Sequence, residues 1–246
     1  MHRFYVNEDQ LNADSITIIG TDVNHIKNVL RMKQGDEILI CNGQGKDYYC
    51  IINKVSEEKI VAQINSIKDT DTELKSKITL FQGIPKKDKF ELIIQKAVEL
   101  GVAEIVPVMT SRVVVKLDDE RKEEKKRQRW QAIAMEAAKQ SGRGVVPTIQ
   151  PVHSFFDAIK LLSKKDLALI PYEKANDMNY TRDILSKIKN YSSIGVFIGP
   201  EGGFDEEEIK VAMENNIKPI TLGRRILRTE TAGLAILSMM ILMLEE

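Results

Sequence analysis

Residues 194–205 read Ile-Gly-Val-Phe-Ile-Gly-Pro-Glu-Gly-Gly-Phe-Asp. The run Ile194–Ile198 is apolar throughout, as a strand buried on both faces must be. Glycines follow, and Asp205 then caps a helix over Asp205–Asn215 whose first turn is Glu206, Glu207 and Glu208. Strand, glycine loop and capped helix in that order make one repeat of a parallel α/β sheet. The same rhythm extends in both directions. Upstream it predicts strands at Ile78–Gln82, Glu104–Val108 and Leu167–Ile170. The helices between them are Asp88–Leu100 (stopped by Gly101), Glu120–Gln140 (closed by Gly142) and Thr181–Lys189. Downstream come a short strand, Ile220–Leu222, and a last helix, Thr231–Leu244. The expectation is a parallel sheet with helices on both faces and a ligand beyond the carboxyl ends of the strands. That places the chemistry in the loops after Ile170, Ile198 and Leu222.

The first 70 residues read differently. Asp36–Cys41 and Asp47–Val55 are β-rich runs flanking Asn42-Gly43-Gln44-Gly45, a hairpin signal. Lys59–Ile67 alternates apolar and polar residues. One helical stretch, Asp22–Met32, has Asp22 as its N-cap and Val23, Ile26, Val29 and Leu30 on one face. Short strands with one helix suggest a compact β-barrel. The polar segment Lys68–Ser76 reads as a linker, dividing the chain into domains 1–72 and 73–246.

Composition narrows the class. The chain has 246 residues, 43% hydrophobic and 29% charged, as in a globular protein rather than a disordered one. Cys41 and Cys50 are too few for a disulfide scaffold and read as free core thiols. His2, His25 and His153 are scattered, so no metal site is expected. The start, MHRFYVNEDQ, has no basic-then-apolar signal. The apolar run Ala232–Leu244 is shorter than the ~20 residues of a membrane span. A cytoplasmic protein is expected. Lys+Arg and Asp+Glu are 36 each, which speaks against coating nucleic acid by bulk charge. The balance is uneven along the chain. Residues 1–76 hold 9 basic and 12 acidic side chains, 77–146 hold 15 and 10, and 147–246 hold 12 and 14. A polyanion would dock on the middle block, where Lys86, Lys87 and Lys89 crowd together.

The loop Gly199-Pro200-Glu201-Gly202-Gly203-Phe204 fits neither phosphate-binding glycine pattern. The three glutamates after it repel phosphate at a helix end that otherwise attracts anions. A second loop, Gly223-Arg224-Arg225-Ile226-Leu227-Arg228-Thr229-Glu230-Thr231-Ala232-Gly233, follows the strand ending at Leu222. Thr229 or Thr231 can cap the last helix. Ile226 and Leu227 can wall an apolar pocket. Arg228, at a helix N-terminus, gains nothing from the dipole there, which points to a functional role.

With these loops the chain resembles the RsmE-type 16S ribosomal RNA uridine-N3 methyltransferases, of the SPOUT class. The resemblance spans the chain. It rests on Met1–Tyr5, on His25–Arg31 with Gly35-Asp36, on Lys86–Lys89, on Glu99–Val102 and on Thr110–Arg112. It continues through Trp130, Glu136-Ala137, Gln140, Arg143 and Pro147 to Ile198–Phe204 and Leu222–Gly233. It implies an N-terminal PUA-like RNA-binding β-barrel and a C-terminal SPOUT α/β domain with a trefoil knot. It also implies an S-adenosylmethionine pocket built by Pro171, Tyr172, Glu173, Gly199, Pro200, Glu201, Gly202, Leu222, Gly223, Ile226 and Leu227. Arg228 would stabilise charge on the substrate base, with Glu230 and Thr231 as candidate proton acceptors beside solvent. Arg3, Arg31, Lys86, Lys87, Lys89, Arg112 and Arg143 would hold RNA phosphates. The implied partners are 16S rRNA in the small ribosomal subunit and a second copy of the chain, through the apolar final helix. Three other readings compete: a SPOUT enzyme acting on another RNA, an RNA-binding assembly factor without activity, and a nucleotide-dependent α/β enzyme. The last is disfavoured by the missing phosphate loop.

Overall fold

The computed structural model describes residues 1–86, 88–112, 120–175 and 177–245, and the Glu120 side chain is not described. The chain divides into two compact units. The first is Met1–Glu73 together with Ala138–Val146, and the second is Leu74–Ala137 together with Pro147–Glu246. Residues 138–146, which the sequence reading left in the second domain, therefore belong to the first unit.

In the first unit, strands β1 (Arg3–Tyr5), β2 (Ser15–Ile19), β3 (Glu37–Cys41), β4 (Lys46–Val55) and β5 (Lys59–Asp69) form one sheet in the order β1-β3-β4-β5-β2. β1 pairs with β3 in parallel and the other pairings are antiparallel. β1 and β2 remain as edges, so the sheet is a curled half-barrel rather than a closed barrel. Ile16, Ile18, Ile38, Ile40, Ile52 and Ile60 fill its concave side. The hairpin is where the sequence places it, with the Asn42 carboxamide oxygen accepting from the Gln44 and Lys46 N–H groups. The helical stretch differs from expectation. It starts at Thr21, with Gly20 rather than Asp22 as N-cap, and after α1 (Thr21–Asn24) it widens into a π turn over His25–Val29.

The supposed linker is tied down. β5 reaches Asp69, and the Thr72 hydroxyl accepts from the Gly144 N–H at 2.8 Å. The Glu73 carboxylate accepts from the Gly144 and Val145 N–H groups and pairs with Arg143. On the other side of residues 138–146, the Arg3 guanidinium donates to the Gly142 carbonyl at 2.7 Å and to Asp47 at 2.6 Å. The Tyr5 hydroxyl donates to the Ala138 and Arg143 carbonyls. Burial, the largest influence on that phenol, pushes its pKa up and keeps it a donor. Burial likewise pushes up both thiols, Cys50 to about 11, so both behave as inert core residues.

In the second unit, β6 (Lys77–Gly83), β7 (Glu104–Met109), β8 (Thr148–Ile149), β9 (His153–Ser154), β10 (Leu167–Pro171), β11 (Ser193–Ile198) and β12 (Lys218–Ile220) form a wholly parallel sheet. The order is β12-β10-β11-β6-β7-β8, with β9 also pairing with β7. The helices are α2 (Lys89–Glu99), α3 (Glu120–Ser141, whose last turn belongs to the first unit), α4 (Phe155–Leu162), α5 (Met178–Ser186), α6 (Glu206–Glu214) and α7 (Thr229–Leu244). Alternate residues of a strand face opposite sides. Phe81 of β6 and Phe197 of β11 join Phe155, Ile159, Ile209 and Ala212 of α4 and α6. Gln82, next to Phe81, bonds instead to Thr229 of α7. Both faces are therefore covered.

Several sequence-predicted boundaries move. β12 ends at Ile220, which releases Thr221 and Leu222 into the following loop. α5 starts at Met178 under an Asp177 cap and ends at Ser186, before a separate turn at Ile188–Asn190. α4 was missed, although Ser154 and Asp157 cap it in a recognisable pattern. α7 is not buried all round. Gly233, Ile236, Leu237 and Met240 face inward, while Leu242 is 81% exposed and Met239 is also exposed. No helix among the described residues is long and apolar enough to cross a membrane.

Candidate active site

The loops after β10, β11 and β12 converge with the start of α7 on a cavity of about 420 Å³. That volume lies within the roughly 300–1,000 Å³ of small-molecule sites. All eleven residues expected to hold a cofactor line it: Pro171, Tyr172, Glu173, Gly199, Pro200, Glu201, Gly202, Leu222, Gly223, Ile226 and Leu227. Arg228 lines it too, whereas Glu230 and Thr231 do not. Sequence reasoning missed Ile198, Gly203, Phe204, Thr221, Arg225, Thr229 and Ala232, and it assigned Lys89 elsewhere.

Three anchors hold these loops in place. The Tyr172 N–H donates to the Ile220 carbonyl at 2.9 Å, joining the β10 loop to β12. The buried Thr181 hydroxyl of α5 bonds to the backbone of Thr221. The Thr229 hydroxyl donates to the Gly199 carbonyl at 2.6 Å and accepts from the Gln82 amide at 2.9 Å. Thr229 is therefore the first residue of α7, not its cap; Arg228 occupies the cap position without a side-chain bond. Gln82 is fully buried near the end of β6, directly after Leu80 and Phe81. A polar residue closing that apolar run is the signal that could have identified it. Beside it, a Cβ on Gly83 would lie 2.7 Å from the Pro200 ring and nitrogen, so only glycine lets β6 approach this loop.

The glycine loop itself is braced from two sides. The Glu201 carboxylate accepts from the Lys86 N–H at 3.1 Å and faces Lys89 at 3.3 Å. Burial alone would raise its pKa, but these bonds and its own backbone N–H hold it below the ordinary glutamate value. On the other side, the Arg112 guanidinium donates to the Gly202 carbonyl at 2.6 Å, and its stem lies where a Gly202 Cβ would be. Asp205 and Glu208 form a capping box on α6, and both also accept from Ser111. The Glu208 N–H and the Ser111 hydroxyl hold the Asp205 carboxyl below its usual range. This helix start is saturated with carboxylates, so the site suits a ligand without phosphates.

Arg228 is exposed at the cavity and has no hydrogen-bond or ion-pair partner among the described residues. Thr231 is exposed outside the cavity. Glu230 sits behind the wall, its Oε2 buried at 3.5 Å from the Lys89 ammonium. Ile226 is 84% exposed at the rim, an apolar residue with its face free for a ligand.

The cations expected to hold phosphates separate. The Arg143 side chain is 5% exposed and paired with Glu73. The two terminal nitrogens of Arg3 donate to Gly142 and Asp47. Arg31, at φ 55, is exposed in the first unit. In the second unit, Lys86 and Arg112 are exposed and Lys89 faces the cavity. Lys87 lies outside the described residues. No group of three or more metal-ligating side chains occurs among the described residues.

Two family profiles match the chain, an RNA methyltransferase domain over residues 72–241 and an RNA methyltransferase PUA domain over residues 18–65. The chain is 39% identical to a ribosomal RNA small subunit methyltransferase E of Bacillus subtilis, over 97% of this chain and 95% of that one. Among solved structures, the ribosomal RNA small subunit methyltransferase E of Neisseria gonorrhoeae bound to S-adenosyl methionine has a TM-score of 0.81. It is 33% identical over 98% of this chain and 96% of that one. A Legionella pneumophila structure titled a putative methyltransferase, in complex with the same cofactor, has a TM-score of 0.80 at 32% identity, over 97% and 96% of the two chains. Identity of this extent over nearly the whole chain, together with the two matching profiles, places the chain in the ribosomal RNA small subunit methyltransferase E family.

Proposed function

We propose that the protein transfers the methyl group of S-adenosylmethionine to N3 of one uridine in the RNA of the small ribosomal subunit. The observation that carries this is the cavity. Three loops without a phosphate cradle meet an exposed arginine whose side chain has no partner among the described residues. The residues fit the cofactor. Backbone groups of residues 171–173, 199–202 and 222–223 would meet the adenine edge and ribose, and Ile226 and Leu227 would cover the ring. When bound, the cofactor supplies an electrophilic methyl group on a sulfonium.

The target base must leave its stack to reach a cavity at the ends of the strands. Arg228 then faces a carbonyl oxygen beside N3, where it stabilises the charge that appears as the N3 proton is lost. Glu230 and Thr231, outside the cavity, are poorly placed to take that proton, which leaves solvent as the acceptor. The first unit, with exposed Arg31, and Lys86 and Arg112 of the second would engage the RNA backbone. The exposed apolar face of α7, with Leu242 and Met239, would bury itself against a second copy. The protein would act in the cytoplasm, where ribosomal subunits are assembled.

Incubation with tritiated S-adenosylmethionine and RNA from a strain lacking this enzyme tests the reading. Label is expected at a single uridine of small-subunit RNA as the N3-methyl product. Label in transfer RNA alone would overturn it. Light scattering at micromolar concentration should give twice the 27.9 kDa chain mass, and Leu242→Glu should return it to the monomer value.

A further inference from the structure

Lys89 begins α2, and a cation there gains nothing from the positive end of a helix. Arg228 has the same misplacement at the cap of α7, and α2 packs against α7. Both cations line the one cavity. Lys89 is held in place by two carboxylates, Glu201 Oε1 at 3.3 Å and Glu230 Oε2 at 3.5 Å. The Glu230 side chain is 17% exposed in the first turn of α7 and its Oε2 has no hydrogen-bond donor among the described residues, so it rests on the ammonium and on the positive end of the helix. An ammonium has three donors. Two face these carboxylates, which leaves one for an occupant of the cavity.

Uridine N3 lies between two carbonyls, O2 and O4, and loss of its proton spreads negative charge over both. One arginine can serve one of them. We propose that Lys89, aimed by Glu201 and Glu230, is a second catalytic residue that donates to the other carbonyl, so that Lys89 and Arg228 grip the uracil edge from both sides of N3. This rests on the function proposed above. The N3 proton leaves to water. The freed N3 electron pair forms the N–CH3 bond while the S–CH3 pair stays on sulfur, giving S-adenosylhomocysteine. The same two cations reject cytidine, whose 4-amino group would set a donor against a donor.

The test uses the full chain, small-subunit RNA lacking the modification, and the same RNA transcribed with 5-fluorouridine, whose N3 ionises more readily. Lys89→Met should stay folded, with a melting temperature lowered by the stranded Glu230 carboxylate, and should keep its calorimetric affinity for S-adenosylmethionine. Its kcat should fall by at least ~100-fold, the scale of losing one oxyanion donor. The rising limb of its pH–rate profile should move to higher pH, because N3 loses its proton less readily without the ammonium. On 5-fluorouridine RNA the deficit should shrink by about tenfold, because an already acidic N3 needs less help. Lys89→Arg should restore part of the rate on both RNAs. If Lys89→Met unfolds, Lys89→Met with Glu230→Gln removes the stranded carboxylate and is measured instead. An unchanged kcat, a deficit equal on both RNAs, or lost cofactor affinity overturns the role of Lys89 while the enzyme's function stands. If the wild type methylates no uridine, the underlying reading fails and this one with it.

Discussion

Arg228→Ala slows methyl transfer by about 10²–10³-fold, the range for removing one donor to a developing oxyanion, equivalent to roughly 3–4 kcal/mol of transition-state stabilisation. Cofactor affinity stays close to wild type. The two effects separate because the Arg228 side chain bonds to no described residue, so its removal leaves the three loops in place. Those loops are held instead by Thr229, Thr181 and Tyr172. Single-turnover kinetics with saturating RNA, alongside calorimetry of the cofactor, distinguishes the two. A rate within a few-fold of wild type would remove Arg228 from the chemistry. Arg228→Lys should recover only part of the loss, since a point charge does not reproduce a planar fork.

Glu73→Ala is the largest expected loss of stability, about 3 kcal/mol. Breaking one side of a buried ion pair costs on the order of 3–5 kcal/mol, and Glu73 is 20% exposed, which places it at the lower end. Two groups lose a bond to Glu73, the Arg143 guanidinium and the Val145 N–H, while the Gly144 N–H keeps the Thr72 hydroxyl. Urea unfolding followed by circular dichroism reads this directly, as a lower midpoint at an unchanged slope. The double variant Glu73→Leu with Arg143→Met should be less damaging than Glu73→Ala alone, because it strands no charge. Equal damage from the two would mean that the pair is not the source.

The α/β unit was legible because its central strands are buried on both faces and so read as largely apolar runs, with glycines in the loops after β11 and β12. The cavity followed from topology, since the loops after parallel strands lie together at one end of the sheet. What stayed hidden depends on partners distant in sequence. β1 and β2 are short edge strands that gain their identity by pairing with β3 and β5. Lys68–Ser76 is polar, and polarity reads as solvent, yet Thr72 and Glu73 spend theirs on backbone N–H groups some 70 residues away. Arg143 and Arg3 likewise have partners, Glu73 and Asp47, that are remote in sequence. A sequence shows a charge but not the carboxylate that folding brings to it. Lys89 shows the converse, a lysine counted with a basic surface cluster that its two glutamates turn toward the cavity. The trefoil knot is an expectation that rests on family resemblance alone, because no local pattern encodes how a chain threads itself.

The insertion of residues 138–146 into the first unit has a consequence for the order of events at the ribosome. Synthesis runs from the N-terminus at roughly 5–20 residues per second, and domains ordinarily close as they emerge. Here the half-barrel has all five strands by Asp69, but the partners of Arg3, Tyr5 and Glu73 are made some 70 residues later. Until then Asp47 alone holds the Arg3 guanidinium, and the Tyr5 hydroxyl and the Glu73 carboxylate wait in water. The nascent unit is left open for several seconds, and a transcript cut after Glu73 would leave it open permanently. Closure of the N-terminal unit thus depends on the catalytic half being more than one-third translated, so a truncated chain would not leave behind a finished RNA-binding module.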